Sequence, residues 1–271
     1  QSGTGAERVR KNLIMKKRNQ FNACLLCLLM TGSIHFQAAE PMPRGYTIPT
    51  LDLSKQTHRQ VIVDREKGQY LGHPTTVLLE DGKTMLIVYP KGHGKGGIVY
   101  KRSRDGGRTW SDRLETPDSW ATSKEVPTLH RVTGPGGKKR IIMFSGLYPT
   151  RMAVSNDQGL SWGELKPVGD WGGIVVMGSV VALNTGPGHY LGLFHDDGRF
   201  IGPTTNRKQP VRFTLYKTHS SNGGLKWSTP VAIESSTTKH ICEPGAVRSP
   251  DGKQLAVLLR ENSRQQNSQI I

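Results

Sequence analysis

At 271 residues with 35% apolar side chains the chain can hold one large domain or two small ones, and 32 glycines with 16 prolines favour short strands and turns over long helices. Three cysteines exclude a dense disulfide framework. The formal charge of +16 is scattered and accompanied by no recognisable nucleic-acid module, so it describes a solvated basic surface suited to acidic glycans, with no nucleic-acid partner expected.

Residues 1–14 precede Met15 and read as an upstream extension foreign to the mature protein. Met15-Lys16-Lys17-Arg18 then opens a basic segment, Ala23 to Met30 form a short apolar core, and Gln37-Ala38-Ala39-Glu40 offers a small-residue cleavage site. This order predicts a secretory signal peptide over 15–39, hence a secreted or periplasmic protein. The apolar run is too short to span a bilayer. Cys24 and Cys27 fall in the leader, which leaves Cys242 alone, without an intrachain disulfide or a Cys-based zinc site. Removing the six basic and one acidic residues of the leader leaves 31 against 20, or +11.

Residues 40–271 read as one all-β domain. A lead-in strand is predicted at 60–63. A unit then repeats: strands at 75–79, 84–89 and 97–102 with a hairpin turn at Asp81-Gly82-Lys83, then strands at 128–132, 140–145 and 151–154 around Gly134-Pro135-Gly136-Gly137. A third unit has strands at 179–183, 190–195 and 213–217, and a fourth begins at 245–248 and 255–259. Segments 171–177 and 198–210 are predicted as loops.

The third strand of each of the first three units runs into one eight-residue pattern. It reads Ser103-Arg104-Asp105-Gly106-Gly107-Arg108-Thr109-Trp110, then Ser155-Asn156-Asp157-Gln158-Gly159-Leu160-Ser161-Trp162, then Ser220-Ser221-Asn222-Gly223-Gly224-Leu225-Lys226-Trp227. Asp or Asn accepts turn amides, Gly takes a positive φ, and Trp anchors the following segment. The pattern resembles the Asp-box of the sialidase (neuraminidase) superfamily and its β-propeller relatives. That resemblance implies a six-bladed β-propeller in which Asp105, Trp110, Asp157, Trp162, Asn222 and Trp227 are structural and lie away from the active face. Six blades need roughly 300 residues. The part from Glu40 onward holds about four blades, so the sequence reads as a C-terminally truncated piece of such a ring.

A second resemblance touches chemistry. Cys242-Glu243-Pro244-Gly245-Ala246-Val247, followed by Leu258-Leu259-Arg260-Glu261-Asn262, is similar to the sialidase segment in which a Glu precedes a strand and the next strand ends in Arg-Asn; here Glu261 is inserted. It implies Glu243 as the base that activates a tyrosine nucleophile and Arg260 as a ligand of the substrate carboxylate. Tyrosine, with a pKa near 10, needs such a base, and a guanidinium fork matches a carboxylate. Where the family has Arg-Ile-Pro this chain has Gly72-His73-Pro74, which makes His73 a candidate substrate ligand. The loop from Tyr89 to Gly97 has no carboxylate and offers Lys91 for binding and His93 for proton transfer.

Further candidates rest on position. Asp196 and Asp197 form a carboxylate pair suited to acid–base catalysis, or to a strand-end turn. Glu125 and Arg151 sit at strand entries and are expected to bind substrate. Trp120 and Trp171 either stack on sugar rings or pack. Residues 261–271 contain no Tyr, and no P-loop, His-Glu-x-x-His or paired-Cys motif calls for a cofactor or metal. The expected function is an exo-acting glycoside hydrolase that removes terminal sialic acid or a related acidic sugar with retention. The alternatives are a non-catalytic carbohydrate-binding propeller, and a glycosidase or lyase for another sugar in which His73, His93, Asp196 and Asp197 replace the sialidase set.

Overall fold

A computed structural model describes residues 49–204 and 209–271. The upstream extension read over 1–14 and the signal peptide over 15–39 lie outside the described residues, which are nearly all β, with helix limited to the 3₁₀ turns Thr57–Arg59 and Asp118–Thr122. Four antiparallel sheets follow one another along the chain. The first is β1 (Thr75–Leu78), β2 (Met85–Pro90) and β3 (Ile98–Ser103); the second is β4 (Pro127–Thr133), β5 (Lys139–Ser145), β6 (Arg151–Ser155) and β7 (Lys166–Pro167). The third is β8 (Ile174–Ala182), β9 (Tyr190–Asp196), β10 (Phe213–Ser220) and β11 (Val231–Ser236); the fourth is β12 (Ile241–Arg248), β13 (Leu255–Glu261) and β14 (Gln269–Ile270).

Period-two alternation determines how the sheets stack. In β2, Leu86 and Val88 join Ile141 and Met143 of β5 in one core between the first two sheets, while Ile87 and Tyr89 face the other way onto Val63 and Leu71. The other β5 face, Ile142 and Phe144, packs against Val176, Met177 and Phe194 of the third sheet. Leu193 and Leu215 then meet Ile241, Val257 and Leu259 of the fourth. Every interface is therefore two apolar sheet faces pressed together, which makes the central strands apolar on both sides.

A repeated polar contact ties the first strands together. The Thr75 hydroxyl donates to the Pro127 carbonyl at 2.8 Å, joining β1 to β4. Thr128 donates to the Val176 carbonyl and accepts from the Met177 N–H, both at 3.0 Å, joining β4 to β8. Ser179 donates to the Pro244 carbonyl at 3.0 Å and accepts from the Ala246 N–H at 2.9 Å, joining β8 to β12. Neighbouring sheets have no continuous ladder between them, so hydroxyls satisfy these backbone groups in its place.

The three eight-residue turns form as their chemistry dictates. Asp105 accepts from the Thr109 N–H at 2.9 Å and from its hydroxyl at 2.7 Å, and the Gly107 N–H donates to the Ser103 hydroxyl at 2.9 Å. Asp157 does the same for Ser161, at 2.9 and 2.5 Å. Asn222 accepts the Lys226 N–H at 2.9 Å and the Ser220 hydroxyl at 3.1 Å but lacks the bond to the side chain at position 226, since Lys has no hydroxyl. The Trp110 and Trp227 indoles donate to Gly107 and Gly224 carbonyls at 3.0 and 2.9 Å. At the second turn the Tyr100 hydroxyl of the first sheet takes the Gly159 carbonyl at 2.6 Å instead, and the Trp162 Nε1 is buried without a partner.

Two expectations are corrected. Residues 60–63 are not a strand: Val61 and Ile62 are exposed, and the Val63 carbonyl accepts from the Lys101 ammonium. Segment 171–177 is not all loop, because Ile174 to Met177 open β8, whose pairing with β9 shifts register between Ile174 and Ser179. The short edge strands β7, β11 and β14 carry too little alternation to be read from sequence.

Candidate active site

The first strands β1, β4, β8 and β12 converge, through their N-terminal ends, on one open hollow of about 440 Å³. His73 and Thr75 line it from the first sheet, Thr128 and His130 from the second, Val175 and Met177 from the third, and Glu243 with Arg260 from the fourth. In an antiparallel sheet β3 runs parallel to β1, so the turns that follow β3, β6 and β10 lie at the opposite end from this hollow. That separates Asp105, Asp157 and Asn222 from the site.

Glu243 is held at several points. Its backbone is left-handed, with φ 51°, inside a bulge where the β12–β13 register shifts between Cys242 and Gly245. Its Oε1 lies 3.1 Å from Arg260 Nη2, which also donates to Asn262 at 2.7 Å. The Glu243 N–H donates to His195 Nδ1 at 3.2 Å. His73 (φ 53°) and Val175 (φ 51°) are two further non-glycine residues in this conformation on the hollow. Left-handed backbone is disfavoured by Cβ sterics and concentrates where a site dictates geometry.

His73 also packs at the rim against the His93 ring, with centroids 4.6 Å apart, and Tyr70 lies 5.5 Å from His93. Glu125, just before β4, is buried; its carboxyl accepts the Val126 N–H at 3.0 Å and the Val175 N–H at 3.4 Å. Burial pushes its pKa up, and the charge of Glu243 adds to the rise. His130, in the middle of β4, has a buried Nε2 without a hydrogen-bond partner, and burial pushes its pKa down to about 4. His195 is likewise buried and held at about 4.

The remaining sequence candidates stand elsewhere. Lys91 pairs with Glu66 at 3.2 Å, a carboxylate that Arg113 also grips at 2.5 Å. Arg151 donates to the Thr122 hydroxyl and carbonyl at 2.8 and 2.7 Å and so clamps the 3₁₀ turn Asp118–Thr122 to β6. Asp196 accepts the Gly198 N–H at 2.7 Å and the Phe200 N–H at 3.1 Å, the bonds of a strand-end turn, and burial raises its pKa. Asp197 is buried and grips Arg199 Nε at 2.8 Å. Trp120 and Trp171 are both buried, in the cores either side of the second sheet, so they pack. Sequence reading passed over His130 and the role of His195. For His130 a signal existed, since Thr128 and His130 are two apart and must share a strand face.

No protein-family model matches the sequence, and no curated protein matches it. Among solved structures the chain is similar to the GH93 α-L-arabinofuranosidase of Fusarium graminearum in complex with arabinobiose, with a TM-score of 0.53, 14% identity, and 74% of this chain aligned to 60% of that one. The fold is propeller-like. A second structure, the Fusarium graminearum α-L-arabinofuranosidase Arb93A with an iminosugar inhibitor, aligns at a TM-score of 0.50 and 14% identity over 74% of this chain and 59% of that one. The chain thus spans about three fifths of the length of either enzyme. Trypanosoma rangeli sialidase in complex with sialic acid matches more weakly, at a TM-score of 0.40 and 13% identity over 70% of this chain and 34% of that one.

Proposed function

We propose that the protein is a secreted propeller glycoside hydrolase that acts on the ends of glycans, with the substrate sugar seated in the hollow between the first strands. The carrying observation is Glu243, strained into left-handed backbone beside Arg260 where four sheets converge. Support also comes from the fold, shared with two solved enzymes that hydrolyse arabinofuranosides.

In this reading Glu243, paired with the guanidinium at 3.1 Å, is the carboxylate that serves as base, and Arg260 is free at its outer edge to grip an acidic group of the sugar. Glu125 is suited to the opposite role. A carboxyl whose pKa is raised by burial holds its proton to higher pH than a solvated one and is suited to deliver it to the departing glycosidic oxygen, the division of labour that two differently placed carboxyls allow. His73 and His93 form the rim on the side of the first sheet, where a sugar hydroxyl or carboxylate is within reach of the imidazoles. We assign the substrate as sialic acid or another acidic terminal sugar. We further propose that more blades complete a six-membered ring, because Val247, Leu258 and Ile270 leave an apolar face of the fourth sheet exposed where the second and third sheets are covered on both sides.

The test is turnover of a fluorogenic α-sialoside and a fluorogenic α-L-arabinofuranoside by the full-length protein, with Glu243→Gln alongside. Sialoside hydrolysis is expected, reduced at least about a hundredfold by Glu243→Gln while the protein stays folded. Hydrolysis of the arabinofuranoside alone moves the substrate from an acidic to a neutral sugar. A folded full-length protein inert towards both and towards other glycosides overturns the glycosidase reading in favour of a binding propeller.

A further inference from the structure

We propose that His195 is a positioning residue for Glu243: its Nδ1 holds the Glu243 backbone N–H and thereby aims the Glu243 carboxylate across the hollow at the substrate. This rests on the glycosidase reading above and adds a residue from a different sheet to it.

The bulge in β12 creates the need. Cys242 pairs with Arg260 and Gly245 with Leu258, so Glu243 and Pro244 are left out of the ladder. Proline has no N–H, which leaves the Glu243 amide as the one donor in the bulge that the sheet does not satisfy. His195, at the end of β9, supplies the acceptor at 3.2 Å. Two further polar groups of the bulge are taken, the Pro244 carbonyl by Ser179 at 3.0 Å and the Glu243 carboxylate by Arg260 at 3.1 Å. Two contacts on Glu243 and one on Pro244 thus hold the bulge in a backbone conformation that costs of order 1 kcal/mol or more when unsupported.

The surroundings of His195 suit this task. Its ring lies parallel to Phe213, with centroids 6.2 Å apart, and Phe213 in turn stacks on His240 at 4.6 Å. The imidazole therefore cannot rotate freely, and its acceptor nitrogen stays pointed at β12. Burial keeps the ring neutral, so the Nδ1 lone pair is available at any pH well above about 4. A group that neither touches the hollow nor carries charge in the neutral range is poorly placed for direct chemistry. Acting through Glu243 is what remains to it.

Two measurements test this. In the full-length wild-type protein, a scalar coupling across the hydrogen bond between the Glu243 amide nitrogen and His195 Nδ1 is expected by NMR; its absence with both resonances assigned overturns the contact. In kinetics, His195→Leu removes the acceptor, and His195→Asn places an amide oxygen close to where Nδ1 stood. The Leu variant is expected to lose at least about tenfold in kcat with a smaller change in KM, and the Asn variant to recover most of it, although both lose the stacked ring and melt lower. A merely structural role predicts equal kinetics for the two. An active wild type whose His195→Leu variant keeps its kcat sinks the positioning role alone, whereas a folded wild type that turns over no glycoside sinks the glycosidase reading and any catalytic meaning of the contact with it.

Discussion

Acid should destabilise this fold well before its carboxylates are protonated, because two imidazoles with desolvated nitrogens resist protonation. His130 in β4 and His195 in β9 are both pushed down to about 4 by burial, against about 6.5 in an unfolded chain. As pH falls below 6.5 the unfolded chain takes up these protons and the folded one does not, so stability falls with pH through the window from about 6.5 to about 4 and levels off below it. Between about pH 7 and about pH 5 each histidine removes roughly 2 kcal/mol, or roughly 3 to 4 kcal/mol for the pair. Glu125 and Asp196 act in the opposite sense, since burial raises their pKa values and acid relieves them, which trims the total. The assay is urea unfolding at the two pH values for the wild type and for a His130→Gln, His195→Asn double variant. The wild type is expected to lose about 2 to 4 kcal/mol more than the variant on acidification. Equal losses would refute the argument, because the pH dependence would then lie outside the two imidazoles.

Two further outcomes follow from the packing. Gly159 has φ 79°, and a Cβ there would lie 2.5 Å from Leu86 Cδ1 and 2.6 Å from the Tyr100 hydroxyl, so Gly159→Ala should cost more than about 2 kcal/mol in urea unfolding. An unchanged midpoint would mean that the second turn does not press on the first sheet. Arg151→Ala releases two hydrogen bonds to Thr122 and should cost about 1 to 3 kcal/mol. If it leaves stability alone but raises KM, Arg151 returns to the substrate site that its sequence position first indicated.

Much of the scaffold was legible because its causes are local. Continuous apolar runs in Met85–Pro90 and Lys139–Ser145 specify strands with two buried faces, and Gly-rich turns specify where they reverse. Within eight residues, Ser103, Asp105, Gly107 and Thr109 supply the hydrogen bonds that close their turn. Glu243 and Arg260 were also legible as a pair, because Cys242 lies opposite Arg260 across a single hairpin.

What lay beyond the sequence is whatever depends on which strand ends become neighbours. Asp196 and Arg151 carry the residue types of a site, yet their partners, the turn amides of Gly198 and Phe200 and the 3₁₀ turn at Thr122, use up those groups structurally. His195 meets the Glu243 amide across 48 positions, and Thr75 meets Pro127 across 52. Period and turn chemistry act over two to eight residues and therefore specify blades one at a time. The hollow exists only between blades, so its members, the left-handed backbone of His73, Val175 and Glu243, and the burial that shifts Glu125 and His130 were decided when apolar faces of separate sheets closed on one another.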